Sequence, residues 1–233
     1  MLKKIGTVNL EKRPVICTVF QSPPSSSVLK KLHTLGIGLT ELRIDQFPNQ
    51  NVQILKQTIH RLKQKGFGVI VTIRMKKEGG SWKGSESERL KLFEEILPVA
   101  DAVDIELQSK ICKAVVSLAH SKKKSAIVSY HDFKKTPSDS ELLSYVKQAK
   151  KERADIVKIA AFAQSKKDFY ALMKFTLAHR SDSIISIAMG KFGQPSRVLF
   201  PLLGSLVTYG YVGRESAPGQ LPAEKLAKAF RSS

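Results

Sequence analysis

Residues 125–160 read SAIVSYHDFKKTPSDSELLSYVKQAKKERADIVKIA, and this stretch indicates how the chain folds. It starts with the apolar run SAIVSYH and ends with DIVKIA, both of which have the length and β-branched content of buried strands. Between them, the SDSE of residues 138–141 has the serine-to-glutamate spacing of a capping box, which opens a helix. A strand, a helix and a second strand predict one βα unit followed by the start of the next.

The same pattern recurs along the rest of the chain. Eight apolar runs begin on average about 27 residues apart, which leaves room for one helix between successive runs. Helix signals include an apolar face from Val52 to Leu62 with Gly66 at the C-cap, and a second capping box at Ser85 and Glu88. The predicted strands span residues 15–20, 37–44, 68–74, 102–107, 125–131, 155–160, 184–189 and 206–212.

Eight βα units in 233 residues predict an α/β fold, a (β/α)8 TIM barrel, in a single domain that spans residues 1–233. No linker rich in Pro, Gly or Ser divides the chain. The alternative is an open doubly wound sheet, which usually has five or six strands and often a glycine-rich first loop. Here the first loop is QSPPSSS and the sequence contains no G-x-G-x-x-G, so the barrel is favoured.

The composition excludes several classes of protein. Hydrophobic residues at 42% and charged residues at 25% are globular proportions, which excludes wholesale disorder. Cys17 and Cys112 provide neither a disulfide framework nor the spacing of metal ligands, and they favour a reducing compartment. Because no apolar segment resembles a secretory signal or a membrane span, we expect a cytoplasmic protein that does not interact with membranes.

The net charge of +19 raises the question of a nucleic-acid partner. The lysines are dispersed, however, and residues 122–124 form their longest run. No zinc-finger spacing, basic zipper or RNA-binding signature is present, so a basic solvated surface without a nucleic-acid partner is favoured. A polyanion-binding module remains the alternative from a different class, and it predicts binding that weakens steeply with salt.

Five consecutive predicted strands, from the second to the sixth, carry charges where parallel strands should be apolar. The charges lie toward the carboxyl ends of the strands, which meet at one mouth of a barrel. A buried unpaired charge costs on the order of several kcal/mol, so we expect these residues to pair with one another or to face a polar ligand. They are Glu41, Arg43 and Asp45, then Arg74, then Asp104 and Glu106, then His131, and finally Lys158.

Lys158 is the most informative of these residues. Its burial beside Arg43, Arg74 and a histidine would favour the neutral, nucleophilic amine, which condenses with a ketone to form an imine. The alternative is a structural lysine that forms an ion pair with one of the strand carboxylates. His131, one strand earlier, favours the chemical interpretation because imine chemistry needs a group that moves protons. The other four histidines lie in or beside predicted helices and are expected at the surface.

Three loops add candidate side chains to the same mouth. Glu78, followed by two glycines, lies four residues beyond Arg74. Arg197 follows the seventh strand near a helix start, which suits a carboxylate ligand. The SAPGQ of residues 216–220 follows the eighth strand, where it is placed to fold down as a lid.

Taken together, the motifs resemble those of type I 3-dehydroquinate dehydratase. Seven motifs occur in this order: ELRID, VTIR with EGG four residues on, DIEL, SYHDF-x2-TP, DIVKIA, AMG-x3-QPSR and SAPGQ. The resemblance implies a (β/α)8 barrel, typically a homodimer, that acts in the shikimate pathway of aromatic amino acid biosynthesis. It further implies conversion of 3-dehydroquinate to 3-dehydroshikimate by syn elimination of water through a lysine Schiff base, with no metal and no organic cofactor.

The resemblance also implies a role for each residue at the mouth. Lys158 would form the imine, His131 would transfer protons, and Glu78 would orient His131. Arg197 would pair with the substrate carboxylate, helped by the loop residues Ser216 and Gln220. The residues implied to hold the ring hydroxyls are Glu41, Arg43 and Arg74, and those with a supporting role are Asp104 and Glu106.

A second enzyme remains as an alternative: another imine-forming barrel lyase, such as a class I aldolase. Such enzymes commonly bind phosphorylated substrates through glycine-rich loops after the seventh and eighth strands. Here those loops carry Arg197 and SAPGQ, which suit a carboxylate and hydroxyls. The dehydratase is therefore favoured over the aldolase.

Overall fold

The computed structural model describes residues 4–11, 14–213, 215 and 217–231. Over this part of the chain, eight parallel strands alternate with eight α-helices, as the repeated βα pattern predicts. The strands are β1 Val15–Phe20, β2 Leu39–Arg43, β3 Gly68–Thr72, β4 Ala102–Glu106, β5 Ser125–Asp132, β6 Ile156–Phe162, β7 Ile184–Met189 and β8 Val207–Tyr211. The helices are α1 Ser26–Thr34, α2 Val52–Gln64, α3 Glu86–Ile96, α4 Cys112–Ser121, α5 Asp139–Lys151, α6 Lys166–Ala178, α7 Ser196–Leu202 and α8 Ala223–Arg231.

The strands form one strongly curled parallel sheet. Each strand from β1 to β6 pairs with the next, and β8 pairs with β1 in the register of Val207 with Val15. Between β7 and β8, the backbone N–H of Leu206 donates to the carbonyl oxygen of Ile184 at 2.8 Å. The (β/α)8 TIM-barrel prediction is confirmed, and the open doubly wound sheet is excluded because its edge strands would not meet.

Helix starts follow the serine signals in the sequence. Ser85 and Ser138 each cap a helix as the first residue of a complete capping box, as predicted. A third box, which was not predicted, opens α6 at Ser165 with Asp168 in place of glutamate. Gly66 follows α2 with a φ of 80°, a left-handed conformation that glycine adopts without steric cost.

Several element ends differ from their predicted positions. β2 leaves the extended region at Arg43, whose ψ is 78°, so Asp45 lies in the 3-10 turn Ile44–Gln46 and not on the strand face. β3 ends at Thr72, so Arg74 lies two residues beyond its end. These two shifts move charged side chains from the strands to the rim, where the backbone turns. A short strand, Leu221–Pro222, pairs beside β8 directly before α8.

The barrel interior has an apolar end and a polar end. Alternate strand residues face inward, and those such as Leu39 and Ile70 form an inner apolar cluster that is separate from the strand–helix core. A short N-terminal hairpin, not predicted from the sequence, pairs Lys4–Ile5 with Val8–Asn9 and adds Ile5 to this inner cluster. A Cβ at Gly68 would lie 2.5 Å from the carbonyl oxygen of Ile5, so the close approach of the hairpin requires glycine at the start of β3.

The composition also led to expectations about the cysteines and about membrane-spanning segments. Both cysteines, Cys17 and Cys112, are buried free thiols. Within the described ranges, no helix combines the length and the apolar character that crossing a membrane requires.

Candidate active site

Lys158 lies in β6, and its side chain points into the barrel with 5% of the residue exposed. Its Nζ donates to Asp104 Oδ2 at 2.8 Å and to Glu41 Oε2 at 3.4 Å. The same nitrogen lies 4.2 Å from the centre of the Tyr209 ring. The structure therefore contains the ion pair that the sequence left open as an alternative. Because Lys158 also borders a cavity, its amine can reach a bound molecule once the ion pair opens.

Asp104 connects Lys158 to Arg74. The Nη2 of Arg74 lies 2.6 Å from Asp104 Oδ1, and its Nη1 donates to Ser129 Oγ at 2.7 Å. The hydroxyl of Ser129 donates in turn to Asp104 Oδ1 at 2.7 Å. Burial acts to raise the pKa of Asp104, but the charges of Arg74 and Lys158 outweigh it and hold that pKa well below its usual range. Asp104 is therefore a permanent anion between two cations.

His131 and Glu78 form a second pair at the mouth. Glu78 Oε2 accepts a hydrogen bond from the backbone N–H of His131 at 2.9 Å and lies 3.0 Å from its Nδ1. Burial raises the pKa of Glu78 to about 8, although the charge of Arg74 opposes the rise. Burial also lowers the pKa of His131 well below its usual value, and the charges of Arg74 and Lys158 lower it further. The imidazole is therefore neutral at pH 7 and able to accept a proton.

Arg43 is held by a partner on its own chain segment. Its Nε and Nη2 bind the two carboxylate oxygens of Asp45 at 3.0 and 2.9 Å. Asp45 also accepts the backbone N–H of Ser81 at 2.9 Å, which ties the loop after β3 to the turn after β2. A two-point contact of this kind fixes the plane of a guanidinium, so Arg43 presents its remaining N–H groups in one orientation.

Arg197 is a buried cation without an acidic partner. It is the second residue of α7 and is 2% exposed. Its Nη2 donates to the carbonyl oxygen of Pro218 over a long 3.4 Å, and none of the described acidic residues forms an ion pair with it. Burial lowers the pKa of Arg197 to about 10. A buried guanidinium with unsatisfied N–H groups is a binding site for an anion, and a carboxylate matches its geometry.

These groups line one cavity, which is open to solvent at the mouth of the barrel. Eight of the nine predicted site residues line it, and Ser216, the ninth, lies outside the described residues. Asp104 and Glu106 are buried and are not part of the lining. The eight lining residues are Glu41, Arg43, Arg74, Glu78, His131, Lys158, Arg197 and Gln220.

Sequence reasoning did not assign roles to the apolar part of the lining. Tyr209 and Phe133 line the cavity, together with Met189 and Ile187 of β7. Met189 belongs to the AMG-x3-QPSR motif, and Tyr209 belongs to the eighth predicted strand. Apolar side chains in strands carry no signal that distinguishes a cavity wall from the core, so these residues could not be selected.

Arg89 in α3 is a further buried cation that was missed. It occupies the helix face of Leu92, Phe93 and Ile96, and it is fully buried. A charged residue in an apolar helical stripe was the available signal, because such a position requires a buried partner. That partner is Glu106, whose Oε2 lies 2.9 Å from Arg89 Nη1.

The outer rim of the cavity is basic. The loops after β3, β4, β5 and β7 carry exposed lysines, and none of them forms an ion pair with another described residue. Their charges extend over distances comparable to the Debye length of about 8 Å at physiological salt. The lysines are Lys76, Lys77, Lys83, Lys110, Lys134, Lys135 and Lys191.

Comparisons with known proteins agree with this geometry. A 3-dehydroquinate dehydratase of Methanococcoides burtonii is 35% identical over 230 residues, which cover 97% of each chain. The crystal structure of 3-dehydroquinate dehydratase from Geobacillus kaustophilus has a TM-score of 0.84 and 28% identity, with 95% of this chain and 91% of that chain covered. A type I 3-dehydroquinate dehydratase from Clostridium difficile, solved with covalently modified comenic acid, has a TM-score of 0.83 and 26% identity, with 98% and 96% covered.

The match to a family model extends over nearly the whole chain. Residues 16–233 match the model described as type I 3-dehydroquinase, so the match includes all eight barrel strands but for the first residue of β1. It therefore includes every residue that lines the cavity. The chain belongs to the type I 3-dehydroquinase family.

Proposed function

We propose that the chain converts 3-dehydroquinate to 3-dehydroshikimate and water by syn elimination, through a Schiff base on Lys158. The family is one of hydro-lyases of the shikimate pathway, and membership favours this reaction over that of a class I aldolase. One observation of the site supports the proposal above the others. A buried lysine amine, a neutral histidine and a buried arginine without an acidic partner line the same cavity.

Imine formation is the role we assign to Lys158. Its Nζ attacks the C3 carbonyl carbon, and the carbonyl oxygen leaves as water, which gives a protonated imine. The ion pair with Asp104 must open first, because the nitrogen lone pair has to be free. Asp104 and Glu41 then lie beside the cationic nitrogen and stabilise its charge.

Proton transfer is the role we assign to His131. Because its Nδ1 faces Glu78, its Nε2 is the nitrogen available to the substrate. This nitrogen removes a proton from C2, and the electron pair of the C–H bond moves toward the imine to form an enamine. The enamine then expels the C1 hydroxyl, which leaves as water with the proton that His131 returns. Hydrolysis of the product imine frees Lys158. A positioned histidine typically contributes about 10²–10⁴ in rate.

Substrate binding is the role we assign to the remaining side chains. Arg197 binds the carboxylate, with Ser216 and Gln220 helping from the loop after β8. Glu41, Arg43 and Arg74 hold the ring hydroxyls. The buried position of Arg197 supports this assignment, because the carboxylate would neutralise a guanidinium that lacks an acidic partner among the described residues.

We also propose that residues 1–233 form one catalytic domain that acts as a homodimer in the cytoplasm. It would need no metal, no organic cofactor and no nucleic-acid partner. The family match over residues 16–233 supports a single domain, and the family resemblance supports the dimer. Light scattering after gel filtration would give the mass of the assembly, and a monomer would contradict the dimer.

The experiment that tests the reaction traps the imine. The protein is incubated with 3-dehydroquinate and sodium borohydride, and its intact mass and peptide map are measured. We expect one reduced adduct on Lys158, and neither adduct nor turnover in Lys158→Ala. The control is Lys113→Ala, which removes an exposed lysine of α4 and should behave like the parent. Turnover without an adduct would overturn the imine, and the absence of both would overturn the reaction itself.

A further inference from the structure

We propose that Arg89 is a positioning residue for this reaction, and the inference rests on the function proposed above. Arg89 lies in α3, does not line the cavity and is fully buried. Its guanidinium holds the backbone on both sides of Arg74. Arg74 in turn fixes Asp104, and Asp104 fixes the amine of Lys158.

The first link is the contact of Arg89 with the end of β3. Its Nη1 donates to the carbonyl oxygen of Ile73 at 2.9 Å. The other amino group of the guanidinium is held as well, since Nη2 donates to Ser109 Oγ at 2.7 Å and to Glu86 Oε1 at 3.4 Å. Partners after β3, after β4 and on α3 itself therefore determine where this side chain lies. A planar group held at this many points transmits position, because it cannot rotate away from any one partner.

The second link runs through Glu106 at the end of β4. Arg89 Nη1 lies 2.9 and 3.1 Å from the two carboxylate oxygens of Glu106. Oε1 of the same carboxylate accepts the backbone N–H of Met75 at 2.7 Å. Ile73 and Met75 are the two neighbours of Arg74 in the chain, so Arg89 holds one directly and the other through Glu106. The side chain of Glu106 also lies 3.7 Å from Arg74 Nη1.

The contact between Glu106 and the backbone N–H of Met75 also determines the position of Glu78. The carbonyl oxygen of Met75 accepts the backbone N–H groups of Glu78 at 3.1 Å and of Gly80 at 2.9 Å. The turn that presents Glu78 to His131 is therefore attached to the residue that Glu106 holds. This turn is tightly packed, because a Cβ at Gly80 would lie 1.9 Å from the carbonyl oxygen of Arg74. Movement at Met75 would displace Arg74 and Glu78 together.

Because Arg89 does not line the cavity, its loss should affect the chemistry more than the binding. The proposed carboxylate site at Arg197 lies on α7, and among the described residues Arg197 and Arg89 have no hydrogen-bond partner in common. A displacement of about 1 Å in reacting groups can cost on the order of 10²-fold in rate. We therefore expect Arg89→Met to lower kcat by about 10²-fold while KM changes by less than about threefold. The rate of borohydride-trapped imine formation should fall by a similar factor.

Arg89→Met alone leaves the buried Glu106 without its nearer cation, since Arg74 Nη1 is 3.7 Å away, and this loss destabilises the fold. The test therefore includes Arg89→Lys and the double variant Arg89→Met/Glu106→Gln. In the double variant the buried carboxyl group is replaced by an amide, whose oxygen can still accept the N–H of Met75. We expect its Tm to return toward the parental value while kcat stays low, because the contact with Ile73 is still missing. Lys91→Met, an exposed position on the same helix, is the matched control.

The outcomes separate positioning from stability. A kcat that recovers together with Tm in the double variant would mean that Arg89 only stabilises the fold, and this would overturn the proposal. Parental kcat in Arg89→Lys and in the double variant would overturn it as well. A parent protein with no dehydratase activity would instead refute the function on which the proposal rests. Low kcat at parental Tm, with unchanged KM, is the supporting result.

Discussion

One carboxylate oxygen of Glu78 contacts His131 at two atoms, the backbone nitrogen at 2.9 Å and Nδ1 at 3.0 Å. The two contacts fix both the strand position and the ring plane of the histidine. Both side chains are largely buried, and burial disfavours charge on each of them. The pair therefore favours a neutral imidazole in the empty cavity, and its titration can be tested directly.

The first prediction concerns the protonation of His131. Because burial and two nearby cations lower its pKa, the imidazole should remain neutral at pH values where an exposed histidine, with a pKa of about 6.5, becomes charged. NMR titration of the histidine ring carbons should show one resonance with a pKa well below 6.5. The variant His131→Asn identifies that resonance by its disappearance. A His131 pKa at or above 6.5 would contradict the prediction.

The second prediction concerns the pH dependence of stability at Glu78. Its pKa is about 8 in the folded protein and about 4.5 in the unfolded chain, so the folded state binds the proton more tightly. This carboxyl group therefore lowers the stability progressively as pH rises from about 4.5 to about 8. In Glu78→Gln that loss is absent, so the variant should gain little at pH 5 and about 2–4 kcal/mol at pH 8 relative to the parent.

Urea unfolding at pH 5, 6.5 and 8 measures this difference. The control is Glu94→Gln, which makes the same substitution at an exposed glutamate of α3. Its stability difference from the parent should be nearly independent of pH. Equal pH profiles for Glu78→Gln and the parent would show that Glu78 does not titrate in this range.

The third prediction concerns Arg197. Since this buried guanidinium lacks an acidic partner among the described residues, Arg197→Met should stabilise the empty enzyme by about 1 kcal/mol. The same change removes the proposed carboxylate contact, so KM should rise by about 10²-fold. Thermal unfolding with and without substrate tests both effects, because added substrate should raise the Tm of the parent and not that of the variant. A Tm below that of the parent for Arg197→Met without substrate would contradict the expected stabilisation.

The fourth prediction concerns the basic rim. The substrate carries a carboxylate, so the exposed lysines should raise its local concentration, and kcat/KM should fall by about threefold or more as salt increases. Lys134→Glu/Lys135→Glu should lower kcat/KM at low salt and flatten its salt dependence. The double variant Lys147→Glu/Lys151→Glu makes the same change in net charge on α5, away from the rim. If both double variants behave alike, net charge and not the rim determines the effect.

Much of the fold was predictable because its signals are local. The apolar runs match β1 and β7 in full, and two of the capping boxes mark helix starts to the residue. The inward direction of Lys158 follows from the period of two along β6, and this too is local. The short hairpin at residues 4–9 was not predictable, because two-residue strands have no period to detect.

The pairing within the site could not be read from the sequence. Glu41, Asp104 and Glu106 were equal candidates as partners of Lys158, and the structure selects the first two. The choice depends on how far neighbouring strands are staggered around the barrel, which no single strand reveals. Glu106 is instead occupied by Arg89, a contact between a helix and a strand seventeen positions apart in the chain.

The N-terminal hairpin has a consequence for the routes into the barrel interior. Its Ile5 belongs to the inner apolar cluster, whereas the polar side chains lie at the mouth. If the reaction proceeds through Lys158 as proposed above, substrate, product and the water that hydrolyses the imine would share the entrance at that mouth.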